Sequence, residues 1–302
     1  TTRSVVVWAI NTLNGKPAVG ANVTIYFTAV NANTGYTALG KVAETISGSN
    51  IKLAAQNCYP EPQGAYTGEV SPPLLKDVGC QYVIIGHSER RQLFGESDEM
   101  INTKAHALSA TGLGIIFCIG ETLEERETDQ MFEVLRRQVR KGLRNLSTEQ
   151  MADLVVAYEP VWAIGTGVTA SDEQAQEAHA FIRSLLVDLY DEQVANATRI
   201  LYGGSVKPGN VDNLMSQPDV DGALVGGASL QYEDFARMAN FKPVEKISQN
   251  LNSGFSHKNY CVRVPLFKRR DCYLRGQHEH IAFINTHFGL SGSNRYRLDP
   301  GR

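Results

Sequence analysis

The sequence predicts an α/β fold in which buried parallel strands alternate with crossover helices, and three features carry that prediction. Short apolar runs recur at residues 51–56, 82–86, 115–119, 154–158, 199–202 and 222–225. Amphipathic stretches lie between or after them, at 98–110, 123–143, 172–189 and 232–239. Glycines punctuate the boundaries. A run that is apolar at consecutive positions suits a strand covered on both faces, and a long segment of helical period after such a strand suits the crossover that returns the chain to a parallel neighbour. Residues 36–241 are therefore a series of βα units.

The segment before them, residues 1–35, follows a different pattern. It holds two β-type runs, Ser4–Ile10 and 22–30. In the second run Val23, Ile25 and Phe27 alternate with Thr24, Tyr26 and Thr28, the period of a half-buried strand. Asn14-Gly15 and Pro17 supply turn chemistry between the runs. Only eleven residues separate the two runs, fewer than a parallel crossover normally takes, so an antiparallel hairpin is expected. The pair is similar to the opening strands of an immunoglobulin-like sandwich, although a sandwich needs about seven strands.

Residues 242–302 lose the βα rhythm and turn basic and aromatic, with eleven Lys or Arg against four Asp or Glu. A solvated basic extension is the favoured reading. Contact with nucleic acid would be confined to this tail. One run in it, 281–290, is faintly similar to a strand of the endonuclease/exonuclease/phosphatase superfamily and is given no catalytic weight.

Composition sets the remaining bounds. With 302 residues and 42% apolar content, the chain can bury a sizeable core. Its longest apolar runs, 4–10 and 113–119, fall far short of the roughly 20 residues that span a bilayer, so no membrane partner is expected. Cys58, Cys80, Cys118, Cys261 and Cys272 show no CxxC spacing and leave an odd one over. That fits free thiols in a reducing compartment, and a cytoplasmic location is expected. No metal site is expected.

Two phrases carry the chemistry, Tyr82-Val-Ile-Ile-Gly-His-Ser-Glu-Arg-Arg91 and Ala157-Tyr-Glu-Pro-Val-Trp-Ala-Ile-Gly-Thr-Gly167. With Ala55-Gln-Asn57, Gly64-Ala-Tyr-Thr-Gly-Glu-Val-Ser71, Cys118-Ile-Gly-Glu-Thr122, Tyr202-Gly-Gly-Ser-Val-Lys207 and Leu224-Val-Gly-Gly-Ala228, they resemble the triosephosphate isomerase family in composition and order. The resemblance covers about two thirds of the chain. It implies a TIM (β/α)8-type barrel, here incomplete, with six recognisable βα units, a β-rich N-terminal segment and a C-terminal extension. It also implies an isomerase of glycolysis and gluconeogenesis that interconverts dihydroxyacetone phosphate and glyceraldehyde 3-phosphate without a cofactor.

Shifting a proton between adjacent carbons of a hydroxy-ketone phosphate needs a base above the carbon and a donor at the oxygen where enolate charge develops. Glu159 stands directly after the strand at 154–158, where Pro160 stops the strand, and is the candidate base. His87 follows the strand at 82–86 in the same way and is the candidate electrophile. In a βα barrel both reach the C-terminal face. Taken alone, a histidine at a strand end is usually an ordinary polar residue, and a glutamate before proline a solvated one. It is the two phrases together that give them the catalytic reading, and the division of labour between glutamate and neutral histidine is what the resemblance implies.

Ser88 and Glu89 are candidate supporting groups, with Arg90 fixing loops by ion pairing. Gly165, Ser205, Gly226 and Gly227 match the family's phosphate contacts, which fits the habit of such barrels of holding phosphate in the loops after strands seven and eight. Residues 162–169 resemble its closing lid.

One signature is missing. The family's first strand ends in Asn-x-Lys, whose ammonium neutralises the phosphate, and the nearest string is Asn11-Thr12-Leu13. Asn11 is a possible remnant, Leu13 stands where the cation belongs, and Lys16 adjoins Pro17 at a turn. The chain is thus chimeric or truncated in pattern, with residues 1–35 in place of the first barrel units. A catalytically impaired or inactive phosphate-binding or interaction remnant is the alternative function. The family is homodimeric through a loop corresponding to 58–71 that docks beside the partner's Asn-x-Lys region, so a weakened dimer is expected.

Overall fold

The computed structural model describes residues 4–10, 23–29, 36, 39–49 and 51–242. Asn11, Leu13, Lys16 and the strand-like run in the basic tail lie outside them. The chain divides into two units, Thr1–Lys246 and Ile247–Arg302, the second wholly outside the described residues.

Six strands of the first unit, β3 (Lys52–Ala55), β4 (Tyr82–Ile85), β5 (Gly114–Ile119), β6 (Leu154–Tyr158), β7 (Arg199–Tyr202) and β8 (Gly222–Val225), pair in sequence order and in parallel. These are the six predicted runs, trimmed or extended by a residue or so. Alternate residues divide between two cores. Ala54, Tyr82, Ile84, Ile116, Cys118, Val155, Ala157, Leu201 and Leu224 fill the inside of the curled sheet. Leu53, Val83, Ile85, Ile115, Phe117, Val156, Tyr158 and Ile200 face the helices. Burial on both faces explains why the strands are apolar at every position, and each fully buried large side chain contributes about 1.5–3 kcal/mol.

The gap between β3 and β8 is closed by a hairpin. Strand β1 (Ser4–Ile10) runs antiparallel to β2 (Val23–Ala29) and also antiparallel to β8, while β2 pairs in parallel with β3. The strand order β1 to β8 is thereby a closed barrel rather than the start of a sandwich. Both edges of the six-strand array are covered, which removes the aggregation hazard of open strand edges.

The register sets the polarity of β1. Val6 pairs with Val225 and Ala9 with Gly222, so Ile10 lies at the N-terminal end of β8, opposite to the end from which Gly226 and Gly227 emerge.

The crossovers include α4 (Asp98–Thr111), α6 (Met131–Gly142) and α7 (Asp172–Leu189), and α10 (Tyr232–Ala239) follows the last strand. Capping matches sequence. Ser97 caps α4, Gly112 ends it in the left-handed region at φ 71°, and Ser171 with Gln174 forms a capping box on α7. The stretch at 123–143, continuous in the sequence pattern, is two helices, Leu123–Glu127 and Met131–Gly142. Asp129, at φ 58°, breaks it, a conformation that a short polar side chain tolerates. Among the described residues no helix is long and apolar enough to cross a membrane.

Candidate active site

The ends of β4, β5 and β6 build the candidate site. After β4 the chain turns at Gly86, φ 71°, where an added Cβ would come within 3.0 Å of the Cys118 carbonyl. His87 then caps the short helix Ser88–Leu93, its Nδ1 accepting from the Glu89 N–H at 3.3 Å. A neutral ring that accepts at Nδ1 carries its proton on Nε2. Arg91 fixes the turn from behind, donating to the Gly86 carbonyl at 2.8 Å, to Asp98 at 2.6 Å and to the Cys118 carbonyl at 3.2 Å.

Glu159, 2% exposed, follows β6. Its N–H donates to the Ile119 carbonyl at 2.7 Å, and the next strand end is tied in by the Gly203 N–H donating to Tyr158 at 2.6 Å. Glycine makes the room. A Cβ on Gly120 would stand 1.7 Å from the Glu159 carbonyl oxygen, and one on Gly203 2.9 Å from Glu159 Cγ.

The carboxylate Oε2 accepts from the Ser88 N–H at 2.9 Å, and Oε1 lies 3.1 Å from His87 Nε2. That second contact has the distance of a hydrogen bond but not its direction, and Oε1 has no hydrogen-bond partner. One oxygen is thus anchored by a hydrogen bond, while the other is buried beside His87 without one. Beneath them the Cys118 thiol is pushed well above its usual range, first by burial and then by Glu159, so it stays protonated.

The structure brings together His87, Ser88 and Glu159. Glu89 stands at the rim, 3.9 Å from His87 Nδ1, and Arg90 pairs with Glu96 at 2.5 Å. Gly165, Ser205, Gly226 and Gly227 lie in the segments leaving β6, β7 and β8, on the same end of the barrel as Glu159, by the parallel register of those strands. Gly165 and Gly167 adopt φ of 70° and 83° in an exposed segment. Asn11 is outside the described residues, beyond the Ile10 end of β1. The described loop residues 61–69 are exposed. Among the described residues no Lys or Arg pairs with Glu159 or Glu89, and Lys104 is buried against Glu96 and Asn57.

Sequence reasoning missed Glu121, which is fully buried. Its Oε1 accepts from Trp162 Nε1 at 2.9 Å, Tyr158 OH at 3.0 Å and Arg126 at 3.3 Å, holding the start of the segment after Glu159. Burial pushes its carboxyl up, against those bonds. It stands in a quoted phrase, but a charged residue after a strand gave no signal of burial.

A family model described as triosephosphate isomerase matches residues 10–242. Proteins named triosephosphate isomerase are similar to this chain: one from Syntrophotalea carbinolica is 65% identical over 69% of this chain and 83% of its own length. One from Geobacter metallireducens is 58% identical over 68% and 82%, and one from Chloroflexus aurantiacus 55% identical over 68% and 83%.

Proposed function

The chain belongs to the triosephosphate isomerase family, and on that premise we propose that it interconverts dihydroxyacetone phosphate and glyceraldehyde 3-phosphate through an enediolate, with Glu159 as base and His87 as electrophile. One observation carries this reading: His87 Nε2 and Glu159 Oε1, from the ends of β4 and β6 on either side of β5, stand 3.1 Å apart without being hydrogen-bonded to each other. A substrate C1–C2 unit placed over the pair meets a carboxylate oxygen at carbon and an N–H at oxygen. Glu159 takes the proton from one carbon and returns it to the next. The Nε2–H donates to the oxygen where charge develops, a contribution worth most in a site closed to water.

Gly165, Ser205, Gly226 and Gly227 supply N–H groups to the phosphate, and residues 162–169 close over it. Ser88 supports the base through its backbone, and Glu89 supports the rim. A coupled assay for aldehyde formation tests the proposal, and absence of turnover in folded protein would remove it.

A second reading, a family member with impaired turnover, is favoured by the polarity of β1, which directs Ile10 away from the Glu159 end of the barrel. No cation then follows from the Asn11-Thr12-Leu13 string. The same change leaves loop 58–71 without its usual dock, so self-association is weak. A concentration-independent dimer in light scattering would contradict that.

A further inference from the structure

We propose that Gln138 is a positioning residue for the Glu159 base, acting through the two peptide groups that flank the Gly120 α-carbon; the inference rests on the isomerase reading of Glu159. Gln138 sits on the buried stripe of α6 beside Met131, Val134, Leu135, Val139 and Gly142. It is 4% exposed. A glutamine there is costly unless both amide atoms are satisfied. Both go to the same residue, for Oε1 accepts from the Gly120 N–H at 2.8 Å and Nε2 donates to the Gly120 carbonyl at 3.0 Å. The side chain thus continues the strand pairing where β5 stops.

What the fork holds explains why it matters to the base. On one side of Gly120, Ile119 accepts from the Glu159 N–H at 2.7 Å, and on the other Glu121 accepts from the Val161 N–H at 3.0 Å. Gly120 between them presses its bare α-carbon on the Glu159 carbonyl, where a Cβ would come within 1.7 Å. A shift of these two peptides therefore passes directly into the Glu159 backbone. It also passes into Glu121, whose carboxylate holds Trp162 at the start of the lid.

Two variants test this. Gln138→Leu keeps the volume and removes both bonds. We expect kcat to fall about 10–100-fold with KM within about threefold of the parent, because sub-ångström misplacement of a base costs rate more than binding. In Gln138→Glu the ionised side chain accepts from the Gly120 N–H and leaves the carbonyl unmet, whereas the protonated carboxyl supplies both bonds. The ratio of its kcat to the parent's is therefore expected to rise several-fold between pH 8 and pH 6, a pH signature that a purely structural staple would not show. A flat ratio, or an unchanged kcat in folded Gln138→Leu, overturns the proposal.

Amide exchange gives a readout free of turnover. Protection at Gly120 and Glu159 should drop about tenfold or more in Gln138→Leu, and in Gln138→Glu it should recover at acidic pH. Unchanged protection sinks the clamp even if the parent is active. A parent without turnover removes the isomerase reading, while the exchange data still decide the clamp.

Discussion

The ends of β5 and β6 and the hairpin β1–β2 occupy the same barrel, yet they specify position in opposite ways. At β5 and β6 the backbone groups around Glu159 are tied to local partners. Ile119 holds Glu159, Glu121 holds Val161, and Gln138 holds Gly120. The hairpin fills its place in the strand order through backbone pairing with β3 and β8, and with reversed polarity in β1. Closing a barrel needs only backbone donors and acceptors, which any strand offers in either direction. Placing a charge over a substrate needs the right end of the strand as well. A strand can therefore close the barrel without its direction serving a site at one end.

The sharpest way to break the comparison is at the base itself. Glu159→Gln removes proton transfer while keeping the size of the side chain, and turnover in a coupled assay should fall by about 10²–10⁴-fold. Near-parental turnover would show that the locked region is not the catalytic one.

The second test concerns the hairpin. If β1 carries its C-terminal end away from Glu159, Leu13→Lys should leave kcat within about twofold of the parent. A strand of the family's usual direction would instead place a preorganised cation at the phosphate, for which a gain of about 10²–10³ is expected by analogy with single donors in oxyanion sites. A gain of that size would overturn the polarity argument. Restored activity on adding small cations, with no gain from Leu13→Lys, would sharpen it.

What could be read from sequence follows the same division. Strands β6, β7 and β8 match their runs residue for residue, because burial on both faces forces an uninterrupted apolar string. The hairpin was legible from a connection too short for a crossover, with Asn14-Gly15 and Pro17 inside it. Its pairing with β8 was not, since an edge-to-edge backbone ladder leaves no mark on side-chain pattern. His87 and Glu159 were singled out because each follows a strand and sits in a distinctive phrase. Gln138 and Glu121 were not, because their roles depend on what lies across the turn from them. The one trace of Gln138 is a polar residue in the apolar stripe of α6.

A third test asks whether the lock is as tight as its geometry. Gly120→Ala would drive a methyl into the Glu159 carbonyl and should lower stability by about 3 kcal/mol in chemical denaturation, as overpacking does. Gly209→Ala, with nothing within 4 Å of the added carbon, is the control and should stay within about 0.5 kcal/mol. Similar losses at both glycines would mean that the turn at Gly120 relaxes freely.

The smallest expected effect lies behind the same strands, at His179 on α7. The ring is fully buried, with Nδ1 3.2 Å from the Asp219 carbonyl and with Tyr158 and Tyr202 packed against it and against each other. Burial, helped by Arg183 and opposed by the Asp219 carbonyl and carboxylate, lowers its pKa to about 4. An unfolded histidine titrates near 6.5, so in acid the unfolded chain binds the proton first. The contribution to stability is therefore complete above about pH 6.5 and is lost as pH falls from there toward 4. Between pH 7 and pH 5 it amounts to about 2 kcal/mol. Urea unfolding at the two pH values should show that loss in the parent, and His179→Gln should remove most of it whatever its own stability at pH 7. If the slope between the two pH values were the same in both proteins, the acid sensitivity would have to come from groups other than His179. The packed interior behind β6 and β7 would then not be the part of the barrel that acid loosens first.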